Sequence, residues 1–145
     1  MNRIGLYAGS FNPFHRGHYD ILQKAEAIFD EVIVARGVNP EKSPPTYEIP
    51  DLVAKNRLII EYHGLLTDVI KKYKKEYDNI TLIRGLRNST DLQYEMTQYR
   101  FLQDLMPDIQ VVSIFCDKEY EHISSSAIKM LYNFDKESAK KYLLY

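Results

Sequence analysis

Short, almost wholly apolar runs alternate along this chain with segments whose apolar residues return every third or fourth position. That alternation leaves few folds open. The first run covers residues 4–8 and ends at Gly9-Ser10-Phe11-Asn12-Pro13, a tight loop. From residue 17 to 29, apolar side chains fall at Ile21, Leu22, Ala25, Ile28 and Phe29, which is helical spacing. Residues 31–38 hold a second run, Val32-Ile33-Val34-Ala35, and Leu58-Ile59-Ile60 reads as a short third strand. Leu65, Leu66, Val69, Ile70 and Tyr73 mark another helix. Ile80-Thr81-Leu82-Ile83 is a strand that runs into Arg84-Gly85-Leu86-Arg87. Beyond it the pattern predicts a helix over 91–105, a strand over 110–116, a helix capped by a serine among 124–126 and running to 131, and a last helix over 136–144.

Near-continuous apolar strands alternating with helices imply an α/β fold whose parallel sheet is covered on both faces. Right-handed crossovers then give a doubly wound sheet of Rossmann-like nucleotide-binding topology. In such a sheet, ligands bind beyond the carboxyl ends of the strands. The 145 residues are read as a single domain, 1–145. The one Pro-rich stretch, Asn39-Pro40-Glu41-Lys42-Ser43-Pro44-Pro45, is a loop and too short for a domain boundary. Lys and Arg number 19 against 20 Asp and Glu, a net charge of −1, which speaks against a generic nucleic-acid partner. Cys116 is alone, so no internal disulfide can form, and a reducing, cytoplasmic compartment is expected. No apolar run approaches the roughly 20 residues of a membrane span, and the first residues lack the shape of a signal peptide.

The polar clusters fall just after predicted strands. Gly9-Ser10-Phe11-Asn12-Pro13-Phe14-His15-Arg16-Gly17-His18 places a glycine and two histidines where a strand gives way to a helix. Unpaired amides and a partial positive charge at a helix start suit phosphate. The plainer reading is a connection with two surface histidines, and a zinc site lacks a third ligand. Arg84 and Arg87, three apart at a strand end, can meet one anion through their guanidinium forks. Asp91 and Glu95 follow on the next helix, where a carboxylate can hold a ribose hydroxyl, orient an arginine or contact a metal. Ser124, Ser125 and Ser126 open a helix and supply hydroxyls and amides to an anion, or simply cap it. Lys42 lies in the Pro-rich loop, as a phosphate ligand or a surface lysine. Together these residues suit a ligand with several phosphates. Neither the three-glycine dinucleotide fingerprint nor the glycine-rich Lys-Ser/Thr phosphate loop occurs. No nucleophile–base pair stands out, so direct transfer between two bound substrates is the economical mechanism.

Gly9-Ser10-Phe11-Asn12-Pro13 with His15-Arg16-Gly17-His18 resembles the signature of the nucleotidyltransferase superfamily that carries histidine, any residue, glycine, histidine. Within it, Ile83-Arg84-Gly85-Leu86-Arg87, Asp91, Tyr94-Glu95-Met96, Met106-Pro107-Asp108 and Ile123-Ser124-Ser125-Ser126 resemble the phosphopantetheine adenylyltransferases, over nearly the whole chain. The resemblance implies a transferase of coenzyme A biosynthesis. It would move AMP from ATP onto 4′-phosphopantetheine, giving dephospho-coenzyme A and pyrophosphate. It implies that ATP is bound by Gly9, Ser10, Phe11, His15, Gly17, His18, Gly85, Leu86, Arg87, Glu95, Tyr120, Glu121, His122, Ile123, Ser124, Ser125 and Ser126. Ser10, Lys42, Leu66 and Arg84 would hold the acceptor, and His18, Lys42 and Arg84 would carry catalysis. Magnesium would ride mainly on the ATP phosphates, with no metal site of the protein's own, and the chain would form a homo-oligomer, a hexamer. His15 stands where that family usually has threonine; histidine there is commoner in relatives acting on mononucleotides. The stretch from Lys42 to Gly64 is shorter than usual, the stretch from Leu66 to Arg84 slightly longer, and the C-terminal helix region shortened. Two alternatives stay open: adenylyl transfer to nicotinamide or nicotinate mononucleotide, and a catalytically weak nucleotide-binding sensor.

Overall fold

A computed structural model describes residues 2–144. Strand β1 (Ile4–Gly9) leads to helix α1 (Arg16–Ile28), then β2 (Glu31–Gly37), the short α2 (Asp51–Ala54) and β3 (Ile59–Tyr62). Helix α3 (Leu66–Tyr73), β4 (Ile80–Leu86), α4 (Ser89–Leu105) and β5 (Val111–Phe115) follow. A 3₁₀ turn (Lys118–Tyr120), α5 (Ser125–Phe134) and α6 (Lys136–Lys140) end the order. The five strands lie in the order β3-β2-β1-β4-β5, and every pairing is parallel. β1 sits at the centre, with Tyr7 opposite Val34 on one side and Ile83 on the other.

Strand alternation sorts the core into two layers. Ile4, Leu6 and Ala8 pack with Ile33, Leu82 and Ile70 on the α3 and α4 face. Tyr7, Val34 and Ile83 pack with Ile21, Leu22 and Ala25 of α1 on the other. Each fully buried aliphatic side chain contributes about 1.5–3 kcal/mol, which is why the central strands read so clearly from sequence. The chain winds outward from β1 to β3 and then from β4 to β5, so the direction reverses between β1 and β4. The carboxyl ends of those two strands frame the crevice where such sheets bind ligands.

Three details differ from the sequence expectation. α2 was not anticipated; Arg57 fixes it by donating to the carbonyls of Leu52 and Val53 while its guanidinium grips Glu26 of α1. The last helix stops at Lys140, because the following residues bond elsewhere: Tyr142 O accepts the N–H of Arg16, and Leu143 bridges to His15. The sheet is not covered evenly. No residue of α4 is fully buried, and Phe115 of β5 is 62% exposed.

Candidate active site

The crevice is built first by α1. His15 is its N-cap: Nδ1 of His15 accepts the N–H groups of Gly17 (3.1 Å) and His18 (3.4 Å). The side chain of His18 answers, its Nδ1 accepting the N–H of His15 at 3.1 Å. This is a reciprocal capping box made of two imidazoles. The rings stack with centroids 3.7 Å apart. Gly17 permits the stack, since a Cβ there would lie 3.0 Å from Cε1 and 3.1 Å from Nδ1 of His15. Burial pushes the His15 pKa down to about 4, with the Arg87 charge adding to the effect. Burial, then His15 and Arg87, hold His18 well below its ordinary value too. Both rings are therefore neutral near pH 7. An accepting Nδ1 carries no hydrogen, so the proton of each ring is on Nε2. His18 thus presents an N–H donor, not a base, to the cavity it borders.

Phe11 and Phe14 support that ring from below. Their centroids lie 5.0 and 5.2 Å from that of His18. Phe11 holds φ 47°, a left-handed conformation that a bulky residue adopts only when its surroundings enforce it. Arg36, buried at the end of β2, supplies that constraint. It donates to the carbonyl of Phe11 and to that of Tyr47 at 2.8 Å. Asn12 Oδ1 accepts from the backbone of Thr46 and Tyr47 at 3.1 and 2.9 Å. The glycine–histidine loop and the Pro-rich loop are thereby fixed to each other.

A cavity of about 280 Å³ lies over α1 and includes His15, Gly17, His18, Gly85, Leu86, Arg87, Glu95, Tyr120, Ile123, Ser124 and Ser125 in its wall. Arg87 is held there by Asp91, which takes its Nε–H at 2.9 Å and its Nη2–H at 3.0 Å. Burial would raise the pKa of Asp91, but the Arg87 bonds outweigh it and keep the carboxylate charged. A second cavity, about 380 Å³, has Gly9, Ser10, Asn39, Tyr62, His63 and Arg84 in its wall. The hydroxyl of Tyr62 lies over Gly37, where a Cβ would come within 2.8 Å of it. A third space, about 470 Å³, brings Ser10 and Lys42 together with Ser125, Ser126 and Lys129. Ser125 borders both the first and third spaces, and Ser10 both the second and third. The three lie side by side around the ends of β1 and β4, with Ser125 and Ser10 as shared walls.

Not every expected residue faces it. Phe11 is buried behind His18, and Leu66 packs against the core under α3, bordering none of the three spaces. Glu121 and His122 are exposed, and the His122 ring meets Tyr142 edge-on at 5.8 Å. Two serines are partly structural: Ser124 caps α5 through the N–H of Ala127, and Ser125 donates to the carbonyl of Pro13. Sequence reasoning missed Arg36, Tyr62, His63 and Lys129. Lys129 carried one usable signal, its position one turn beyond the serines on the same helix.

Residues 6–131 match the model of the cytidylyltransferase-like family. The phosphopantetheine adenylyltransferase of Clostridium perfringens is 35% identical over 143 residues, covering 93% of this chain and 85% of that protein. That of Shouchella clausii is 32% identical and covers 93% and 87%. Among solved structures, the bifunctional NMN adenylyltransferase/ADP ribose pyrophosphatase of Francisella tularensis superposes with a TM-score of 0.67 at 18% identity, over 99% of this chain and 45% of that one. A Vibrio parahaemolyticus structure gives 0.64 at 14% identity, over 100% and 95%. Those structural likenesses establish the shared fold; the sequence relatives go further. With its histidine-capped α1, its two strand-end arginines and its serine-opened α5, the chain belongs to the cytidylyltransferase-like family, in the company of the phosphopantetheine adenylyltransferases.

Proposed function

We propose that this chain is an adenylyltransferase that moves AMP from ATP onto 4′-phosphopantetheine, releasing pyrophosphate and forming dephospho-coenzyme A. The observation that carries the reading is the pair of cavities at the ends of β1 and β4, one holding His18 and Arg87, the other Arg84 and Ser10, each sharing a serine with the space around Lys42. The relatives named phosphopantetheine adenylyltransferase supply the acceptor. In this reading the adenosine side of ATP occupies the cavity over α1. Its phosphates run toward Ser125, Ser126, Lys42 and Lys129, and the acceptor phosphate meets Ser10 and Arg84. The acceptor's anionic oxygen attacks the α-phosphorus in line, and pyrophosphate leaves. A phosphate nucleophile is already ionised near neutral pH, so no general base is needed. Positioning and charge stabilisation suffice. The Nε2–H of His18 donates to the charge that builds on the α-phosphate. The space around Lys42 and Lys129 has no carboxylate in its wall. In this reading magnesium would enter as part of the nucleotide substrate, held by phosphate oxygens and water.

His15 is the feature that favoured a mononucleotide acceptor. Its Nδ1 is committed to capping α1, which gives it a role independent of the acceptor. Release of pyrophosphate from ATP and magnesium is the deciding assay, with 4′-phosphopantetheine, nicotinamide mononucleotide and no acceptor run in parallel. Release with phosphopantetheine alone is expected. Release with the mononucleotide alone reassigns the acceptor, and ATP binding with no release for either makes the chain a sensor.

The same reading makes the chain a cytoplasmic homo-oligomer, a hexamer by resemblance, with no nucleic-acid partner. Support for assembly comes from α4 and β5, where Tyr94, Met96, Phe101, Leu105 and Phe115 are all more than half exposed. Exposed apolar side chains in this number suit an interaction face. No helix among the described residues is long and apolar enough to cross a membrane.

A further inference from the structure

Arg84 and Glu95 belong to different walls of the crevice. Arg84, on β4, borders the acceptor-side cavity; Glu95, on α4, borders the cavity over α1. Yet the two are locked together. Nε–H and Nη2–H of Arg84 donate to the two oxygens of Glu95, both at 2.9 Å, and Nη1–H donates to the carbonyl of Ala8 at 2.8 Å. Burial alone would lower the pKa of Arg84, but the Glu95 carboxylate overrides it and raises it. A guanidinium has five N–H groups. Three are consumed here, leaving one on each terminal nitrogen, the number that a two-point contact with a phosphate takes.

The resemblance assigns Glu95 to ATP. The geometry adds a second role: we infer that Glu95 is also a positioning residue for the acceptor phosphate, acting through Arg84. Both carboxylate oxygens serve the arginine. The fork fixes the plane of the guanidinium, so the two remaining N–H groups are set before the acceptor arrives. Without it, a long side chain must be ordered during binding, and that cost falls on the acceptor alone. The carbonyl of Ala8 is a second anchor on the β1 side, so Arg84 spans the two strands that frame the crevice. This assignment rests on the acceptor reading above.

The test is Glu95→Gln, which keeps size and loses charge. Dissociation constants are measured by titration calorimetry for 4′-phosphopantetheine without nucleotide and for ATP with magnesium without acceptor. The expected result is at least a tenfold weaker acceptor and a smaller loss for ATP, with KM for the acceptor moving in parallel. In an Arg84→Lys background, which cannot form the fork, Glu95→Gln should change acceptor binding by less than threefold. Glu95→Asp, which keeps the charge but retracts the oxygens, reads the same split if the glutamine variant melts far below the parent. Weakened ATP binding with the acceptor unaffected would make Glu95 a nucleotide ligand alone and overturn the inference. Equal loss for both ligands, or no loss for either, overturns it as well. A parent chain that binds no phosphopantetheine defeats the acceptor reading itself, and this assignment with it.

Discussion

Nδ1 of His18 accepts the backbone N–H of His15 at 3.1 Å, so a bond made for a helix cap also decides which nitrogen of the His18 imidazole carries its proton. The rest of the ring is enclosed by Phe11, Phe14 and His15. The motif is thus one unit in which structure and chemistry share the same atoms.

In the proposed mechanism, replacing His18 by alanine removes the donor to the α-phosphate. Loss of one such donor typically costs about 3–4 kcal/mol, or roughly 100- to 1000-fold in rate. Turnover should fall by that factor while ATP affinity stays within a few-fold. Pyrophosphate release at saturating substrates, beside direct ATP titration, reads both. Near-normal turnover would refute the role.

The histidine pair makes stability depend on acid. The folded pKa of His15 is about 4 against an ordinary 6.5, and that of His18 is depressed in the same direction. Below pH 6.5 the unfolded chain takes up protons that the folded chain refuses, so stability is full above that pH and falls as pH drops toward 4. Melting temperature should decline between pH 7 and pH 5. His15→Asn keeps a capping side chain without the titration, and should show a smaller decline. An equal decline in both proteins would argue that His15 is already charged when folded.

Arg36 ties the Phe11 turn to the Pro-rich loop through two carbonyls. Each such charge-assisted bond is worth about 1.5–3 kcal/mol. Arg36→Met should therefore lose about 3 kcal/mol in denaturant unfolding. Cleavage within residues 39–50 in limited proteolysis should also quicken, because Tyr47 is released. Unchanged proteolysis would mean that Asn12 alone holds the loop.

Phe101 of α4 is 62% exposed on the apolar face. Phe101→Glu places a charge where another copy of the chain would pack. Sedimentation should shift from the parent's assembly toward a monomer while the melting transition of the isolated chain survives. A parent that sediments as a monomer would remove the oligomer from the proposal.

The central strands were legible because β1, β2 and β4 bury side chains on both faces and so carry near-continuous apolar runs. The histidine, arginine and serine clusters were legible because each follows one of those strands or opens a helix. What escaped was tertiary. Arg36 sits at the end of an apolar run and looks like the point where the strand meets solvent, yet it is buried by carbonyls 11 and 25 residues away. Leu66 has the spacing of a helix face, and the core claims it. The final helix had helical composition, but its last turn gives way to bonds with α1. In each case the decisive partner is distant in sequence, beyond the reach of periodicity.

Those last bonds bear on when the site comes into being. Arg16, beside the histidine cap, donates its N–H to Tyr142 O at 3.0 Å and its Nε–H to Lys141 O at 2.6 Å. The motif at residue 16 is therefore braced from 125 positions further along the chain. A growing chain has β1 and α1 long before it has either β4 or this brace, and a site this dependent on distant contacts forms late. The acceptor-side cavity needs nothing beyond Arg84 and its partner Glu95, whereas the cavity over α1 needs Tyr120, Ile123 and Ser124 as well as this brace, so the nucleotide side of the crevice is the last part to be completed.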